Sequence, residues 1–471
     1  MPGVPLPLTS LPGVKPQESQ GVLVNAYAEK NGESIILRGV PGLQQLFEIT
    51  GHTHCRGLFF VTSTLFVCLD DRLYTVTLSG TTYTAVDRGA VGGTGPVTFA
   101  RNNKSPTPDI CLVADSTAYQ VFTDSTVAAW PDADVGSPNS VTSQSGYFIW
   151  SYGDGIYRVS GLNDTSINTL DFAAAESKPD TLYRVIPFGA DLLLCGSQTI
   201  EPWRNVGNET GSPFNFVTSI PRGLAGPWAI AGFEDGFANT IIFAGDDDVV
   251  YRLNGYQAAR LSTHAIERDI AAVADKTTLE AGVYMLAGHA CWVLSSPDWT
   301  WVYDLTSGTW HQRNSSGVRW RASAFAKAWG GWISGDTING KVYTITEDYY
   351  RDGTVEIVGL LETAFVKEFP ARFIASNLQI DMTHGTGIAS GEDPIQTDPM
   401  VWVSWSLDGG YSWSTPLPRA IGKQGKANQR IVVSGSLGMV QPSGFKARVR
   451  WSTPSHIAFN GMSVDVKKLR N

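Results

Sequence analysis

The chain has 471 residues and a mass of 50.9 kDa, enough for about two to four ordinary domains or one large repeat domain with an accessory one. Charged residues are only 17%, whereas Gly (49), Trp (15) and Tyr (16) are abundant, a balance that favours strands, turns and aromatic packing over helices. The net charge of −9 is uneven: residues 355–471 hold 12 Lys+Arg against 9 Asp+Glu, or +3, and subtraction from the totals of 35 and 44 leaves −12 for residues 1–354. An acidic body excludes tight wrapping of DNA through phosphate contacts and suits a surface along which DNA slides without sticking.

No window approaches the roughly 18 apolar residues of a spanning helix, so no membrane-spanning segment is expected. The start, MPGVPLPLTSLPGVKP, lacks the charged and apolar regions of a signal peptide. The five cysteines (Cys55, Cys68, Cys111, Cys195, Cys291) lie mostly in apolar strand-like runs, which reads as buried reduced thiols and not as a disulfide framework.

In chain order, the proline spacing over the first twenty residues (Pro2, Pro5, Pro7, Pro12, Pro16) predicts an extended arm with no helix or central strand, and the arm is assigned to residues 1–34. From Val22 the pattern becomes strand-like, and residues 34–49 are expected to complete the last unit of a repeat array. The repeat follows. Tyr147 to Ser160 (YFIWSYGDGIYRVS) shows its form: an apolar run, a polar turn with an Asp-Gly step, and a second run carrying an aromatic, the pattern of a β-hairpin. Taking that aromatic in each unit, the markers are Tyr74, Tyr119, Tyr157, Trp203, Tyr251, Tyr303 and Tyr343, with successive gaps of 45, 38, 46, 48, 52 and 40 residues. A strand-built period of this size is what a β-propeller blade of four short strands occupies. Seven blades are expected over residues 35–350, with six as the alternative, and Thr263 to Ala274 is read as a short connecting helix from its Ile266, Ile270 and Val273 spacing.

After Tyr343 the texture changes. Six longer strand candidates (Val355 to Val366, Phe373 to Met382, Val401 to Leu407, Arg430 to Ser434, Phe445 to Trp451, Met462 to Lys467) with long loops between them predict an appended β-sandwich over residues 351–471. The fold class is therefore all-β, a propeller followed by a C-terminal sandwich-like domain.

Candidate chemistry is sparse. Ser406-Leu407-Asp408-Gly409-Gly410-Tyr411-Ser412-Trp413 matches the Asp-box pattern Ser-x-Asp-x-Gly-x-Ser/Thr-Trp at every specified position. Ser406, Asp408, Gly410 and Trp413 are read as a structural turn, because the carboxylate accepts turn N–H groups, glycine relieves strain and the indole covers the hairpin. His52-Thr53-His54-Cys55 lacks a second ligand pair at zinc spacing, and Asp246-Asp247-Asp248 lacks the spaced oxygens of a calcium loop. No metal, cofactor or catalytic residue is assigned. Basic residues gather late, and Lys446, Arg448 and Arg450 alternate along one strand while Lys467, Lys468 and Arg470 end the chain. These six are the candidate interface to an acidic partner surface or DNA.

Several stretches together carry a family likeness: Arg72-Leu73-Tyr74, Ala175-Glu176-Ser177-Lys178-Pro179-Asp180, Cys195-Gly196-Ser197-Gln198-Thr199-Ile200-Glu201, Arg222-Gly223-Leu224-Ala225-Gly226, Trp301-Val302-Tyr303-Asp304-Leu305, the link Asp348 to Gly353 and the Asp-box hairpin. In this order the chain resembles the packaged-DNA stabilisation proteins of short-tailed bacteriophages, the tail accessory or hub-nozzle component. The resemblance implies a virion tail protein assembled in the host cytoplasm as a homo-hexameric ring. Its implied partners are the portal and head-to-tail adaptor, the tail needle, tailspike or fibre proteins, and double-stranded DNA passing through the lumen. It implies a role in closing the channel and retaining the packaged genome, and no catalytic residues. Two other readings compete: a sialidase-like or other glycan-cleaving propeller, prompted by the Asp box, and a glycan-binding propeller using Trp299 or Trp332.

Overall fold

A computed structural model describes all residues except 1–2, 33, 176, 209, 239, 427 and 470–471. The chain divides into two compact units, one of residues 45–285 and 321–344, the other of residues 1–44, 286–320 and 345–471.

The first unit is an array of antiparallel four-stranded meanders. The first runs Cys55–Val61, Thr64–Leu69, Arg72–Ser79, Thr82–Ala90 and the second Thr98–Arg101, Ile110–Ala114, Thr117–Val121, Ala128–Ala129. The third runs Ser140–Gln144, Tyr147–Ser151, Ile156–Ser160, Ile167–Ala174, the fourth Leu182–Phe188, Asp191–Gly196, Ile200–Asn205, Phe214–Phe216, and the fifth Ile230–Ala231, Ile242–Ala244, Val250–Asn254, Gln257–Arg260. A later sheet, Ala322–Ala328, Gly331–Asp336 and Lys341–Thr346, takes Gly42–Glu48 as its fourth strand. Its Ala328, Ile333 and Val342 pack into one core with Leu58, Leu65, Val67 and Val76 of the first meander.

The hairpin at Tyr147 explains why the repeat works. Gly155 takes φ +87°, Ile156 N donates to Asp154 Oδ1 at 3.2 Å, and Gly155 N donates to Tyr152 O at 3.2 Å, so glycine and the acid close the turn together. Alternation then places Phe148 and Trp150 in the core shared with the second meander, and Ile149, Tyr157 and Val159 in the core shared with the fourth. Both faces are buried, not one, because each sheet lies between two others. Trp150 and Tyr157 have no exposed surface. Tyr157 Oη and Ser212 Oγ lie 2.7 Å apart, and Trp150 meets Trp130 edge-on at 5.3 Å. Six of the marker aromatics named above fall in the third strand of these sheets, and Tyr303 falls in the strand Thr300–Asp304 of the other unit. The one α-helix among the described residues, His264–Ala272, buries Ile266 and Ile270. All five cysteines are buried, and none is in a disulfide.

The second unit is a two-sheet sandwich with a meander joined to it. One sheet runs in the order His289–Ser295, Thr300–Asp304, Thr309–Ser315, Val22–Val24, Gly359–Glu362, Lys446–Trp451, Met400–Ser406, Leu417–Ala420. The facing sheet runs Ala26–Asn31, Ser34–Gly39, Ala458–Lys468, Phe373–Met382, Ile431–Val440. Leu23, Ala28 and Leu37 share a core with Leu361, Phe373, Val403, Val449 and Phe459.

The expected arm over residues 1–34 is thereby corrected. Among its described residues only the stretch 3–21 holds no strand, and it includes a short 3₁₀ turn at Pro16–Glu18; Val22–Val24 is an interior strand, parallel to Thr309–Ser315 and antiparallel to Gly359–Glu362. Residues 34–49 also split, since Ser34–Gly39 pairs with the sandwich strand Ala458–Lys468 and only Gly42–Glu48 joins the array. The proline-rich start lies along this unit, where Val4 N donates to Met462 O at 2.8 Å and Ser10 N to Trp310 O at 2.7 Å.

Candidate functional site: the Asp-box hairpin and the basic strand

The Asp box connects two strands of the sandwich and uses every one of its signature groups. Ser406 Oγ donates to Asp408 Oδ1 at 2.8 Å and accepts from Gly410 N at 2.7 Å. Ser412 N donates to both carboxylate oxygens, at 2.9 and 3.1 Å, and Ser412 Oγ donates to Oδ2 at 2.5 Å. Gly409 and Gly410 take φ of +79° and +97°, a backbone that side chains strain. Burial raises the Asp408 pKa, but the hydrogen bonds from Ser412 and Ser406 outweigh it and hold the carboxyl below its ordinary value. The carboxylate is fully engaged in a turn, which leaves it unsuited to acid or base work.

Trp413 then links the turn to the basic strand. Its Nε1 donates to Gly410 O at 3.2 Å, and the Arg448 guanidinium lies 3.8 Å from the centre of its ring, a cation–π contact. Arg448 also pairs with Glu362 at 2.6 Å, and Lys446 lies 3.8 Å from the same carboxylate and 4.8 Å from the Phe365 ring. The Lys446 side chain is 1% exposed. Burial pushes its ammonium below the ordinary lysine range, opposed by Glu362.

The expected free basic stripe of Lys446, Arg448 and Arg450 is therefore corrected. Register sets Glu362 opposite Arg448 across the Gly359–Glu362 ladder, and this acid binds the first two cations into the sheet. Of this strand only Arg450 is exposed; Lys467 and Lys468 are exposed as well, with Lys468 2.9 Å from Glu368. Arg470 lies outside the described residues.

The other motifs resolve into local structure. His52 bridges Asp70 (Nδ1 to Oδ2, 3.0 Å) and Tyr74 (Nε2 to Oη, 2.9 Å). Asp247 accepts from Tyr251 Oη at 2.7 Å and Asp248 pairs with Lys276 at 2.8 Å. Among the described residues no group of three or more His, Cys, Asp or Glu side chains is arranged to hold a metal ion. Sequence reasoning missed three buried polar centres. Arg56 donates to the carbonyls of Gly95, Asp70 and Gly92 at 2.6–2.8 Å. Asp336 gathers Arg321 (2.5 Å) and the marker Tyr343 (2.8 Å). Arg313 lies 3.7 Å from the centre of the Trp320 ring. Only the second had a signal, an acid a few residues before the marker aromatic, as also in Asp247 and Tyr251.

Repeated four-stranded meanders and a two-sheet sandwich define an all-β protein of the propeller–sandwich type. Comparison with known proteins agrees in both parts: residues 21–350 match the family model described as Bacteriophage P22 Gp10, beta-propeller, and residues 359–467 the one described as Bacteriophage P22 Gp10, beta-sandwich. The chain belongs to the phage P22 Gp10 family. The tail hub protein gp10 of Salmonella phage P22 is 25% identical over 288 residues, a match that spans 58% of this chain and 59% of that protein. Among solved structures, the WD40 β-propeller domain of Doa1 aligns with a TM-score of 0.43 at 13% identity, over 65% of this chain and 97% of that one. The computationally designed Ika8 protein aligns with a TM-score of 0.40 at 12% identity, over 72% and 99%.

Proposed function

We propose that this chain is a non-enzymatic structural protein of a phage tail: a hub or nozzle subunit that forms a homo-hexameric ring below the portal and head-to-tail adaptor. There it closes the DNA channel, retains the packaged genome and carries the needle and receptor-binding spikes. The observation that supports this most is the collinear family match, propeller over residues 21–350 and sandwich over residues 359–467, with a relative named as a tail hub protein.

In this reading the meanders are seven propeller blades, the seventh completed by Gly42–Glu48. The −12 charge of residues 1–354 keeps DNA from adhering as it leaves. Neighbouring subunits meet through outer-strand apolar groups such as Leu170 (72% exposed) and Phe172 (45% exposed), which a monomer would otherwise leave in water. Arg450, Lys467 and Lys468 serve as contacts to acidic partner surfaces.

The test is genetic. Particles assembled without this chain in the phage that encodes it should fill their heads and then lose the genome, measured as nuclease-protected DNA per head. Full DNA content in particles that lack the chain would contradict the reading.

A further inference from the structure

In the sandwich unit, three sequence-distant elements meet at Asn25, which is fully buried at φ +52°, a left-handed position that Asn tolerates better than most residues. Its Nδ2 donates to Asn314 O (3.1 Å), Asn314 Oδ1 (3.1 Å) and Val358 O (2.9 Å), and its Oδ1 accepts from Asn314 N (3.0 Å). Its own N donates to Gln312 O at 2.8 Å and its O accepts from Val40 N at 3.1 Å. Every polar group of the residue is used: by the meander strand Thr309–Ser315, by the stretch that leads into the sandwich strand Gly359–Glu362, and by Val40.

The flanking segments repeat the arrangement. Trp310 N donates to Thr9 Oγ1 at 2.8 Å and Arg313 Nη2 to Pro41 O at 2.7 Å, both on the meander side. Val4 N donates to Met462 O at 2.8 Å and Ala364 N to Pro5 O at 3.2 Å, both on the sandwich side. In sheet order the hydrogen-bonded path from Thr309–Ser315 to Gly359–Glu362 runs through Val22–Val24.

We infer that residues 4–41 form a clamp with Asn25 as its keystone, which locks the meander of residues 289–315 onto the sandwich so that the two move as one body. The link of residues 351–358, which separates the two family-matched regions, is then held in place beside the clamp. This inference is independent of the tail reading, since it rests on bonds within one chain.

Hydrogen exchange with mass spectrometry on the full chain tests it. Asn25→Ala should raise exchange at least tenfold in residues 309–315 and 353–362 together, leave residues 140–160 unchanged, and speed cleavage after the exposed Glu356 by a glutamate-specific protease. Exchange that rises only at residues 22–26 would overturn the clamp. Should Asn25→Ala raise exchange everywhere, Thr9→Val decides, because it removes only the bonds to Trp310. A smaller rise, coupled on both sides of the clamp, supports the inference, and a rise confined to residues 309–315 overturns it.

Discussion

The meander array and the sandwich are both antiparallel β structure, yet they are drawn from the chain in opposite ways. In the array each of the first five sheets uses one continuous stretch, such as residues 140–174, and neighbouring strands are joined by short turns. In the sandwich, Ser34–Gly39 pairs with Ala458–Lys468, and Val22–Val24 with Gly359–Glu362. Local pairing costs little loop-closure entropy, whereas the sandwich must close loops of several hundred residues before its core can form. The array is thus a sum of neighbours, and the sandwich depends on both ends of the chain.

The largest expected effect breaks the comparison outright. A fragment of residues 359–471 contains the whole family-matched sandwich but lacks the strands that bring Leu23, Ala28 and Leu37 into its core. It should show no cooperative urea transition by near-ultraviolet circular dichroism, and a cooperative transition would show that the N-terminal strands are dispensable. Next, Trp150→Ala removes a fully buried indole between two meanders and should cost about 3–5 kcal/mol in urea unfolding. Leu23→Ala should cost about 2–5 kcal/mol, and the two losses should add, because they fall in separate cores.

A pH prediction sharpens the difference further. His311 sits buried in the meander strand of the second unit, with neither ring nitrogen hydrogen-bonded, and burial pushes its pKa down to about 3, assisted by the nearby Arg313 charge. The unfolded chain binds a proton there near pH 6.5 and the folded chain does not. Its contribution is therefore present above about pH 6.5 and is lost as pH falls toward 3. His289, held by its hydrogen bond to Asp304, is raised, and its contribution has the opposite sign, present at low pH and lost as pH rises through the folded value. His311→Gln should flatten the acid limb of stability, measured as urea midpoint against pH, and an unaltered limb would assign acid sensitivity to other groups. The smallest effect is expected at the Asp box: Asp408→Ala removes turn bonds to Ser406 and Ser412 and should cost about 1–3 kcal/mol with the array unaffected.

What could be read in the sequence follows the same division. Tyr147 to Ser160 announces itself because apolar residue, turn and marker aromatic lie within fourteen positions, and the marker recurs at a similar place in sheet after sheet. Five of the six late strand candidates were legible for the same reason, being long enough to show alternation, whereas Val355 to Val366 breaks into Val355–Glu356 and Gly359–Glu362 with different partners. Val22–Val24 has three residues, too few for a period, and its interior position is set by Gln312 and Leu361, far away in sequence. The basic strand failed likewise: alternation correctly put Lys446, Arg448 and Arg450 on one face, but not that Glu362 and Trp413 occupy that face. The Asp box was legible because all its partners lie within eight residues. Asn25 gave no signal, since its partners lie near residues 314 and 358.

The proposed retention of the genome is tested most directly by adding the purified full chain to DNA-filled heads that lack it and measuring nuclease-protected genome per head. Protection should rise with the amount of chain bound and saturate, and the doubly substituted Leu170→Asp, Phe172→Asp chain, still folded, should restore far less. Heads that bind the chain and still release their DNA would contradict it.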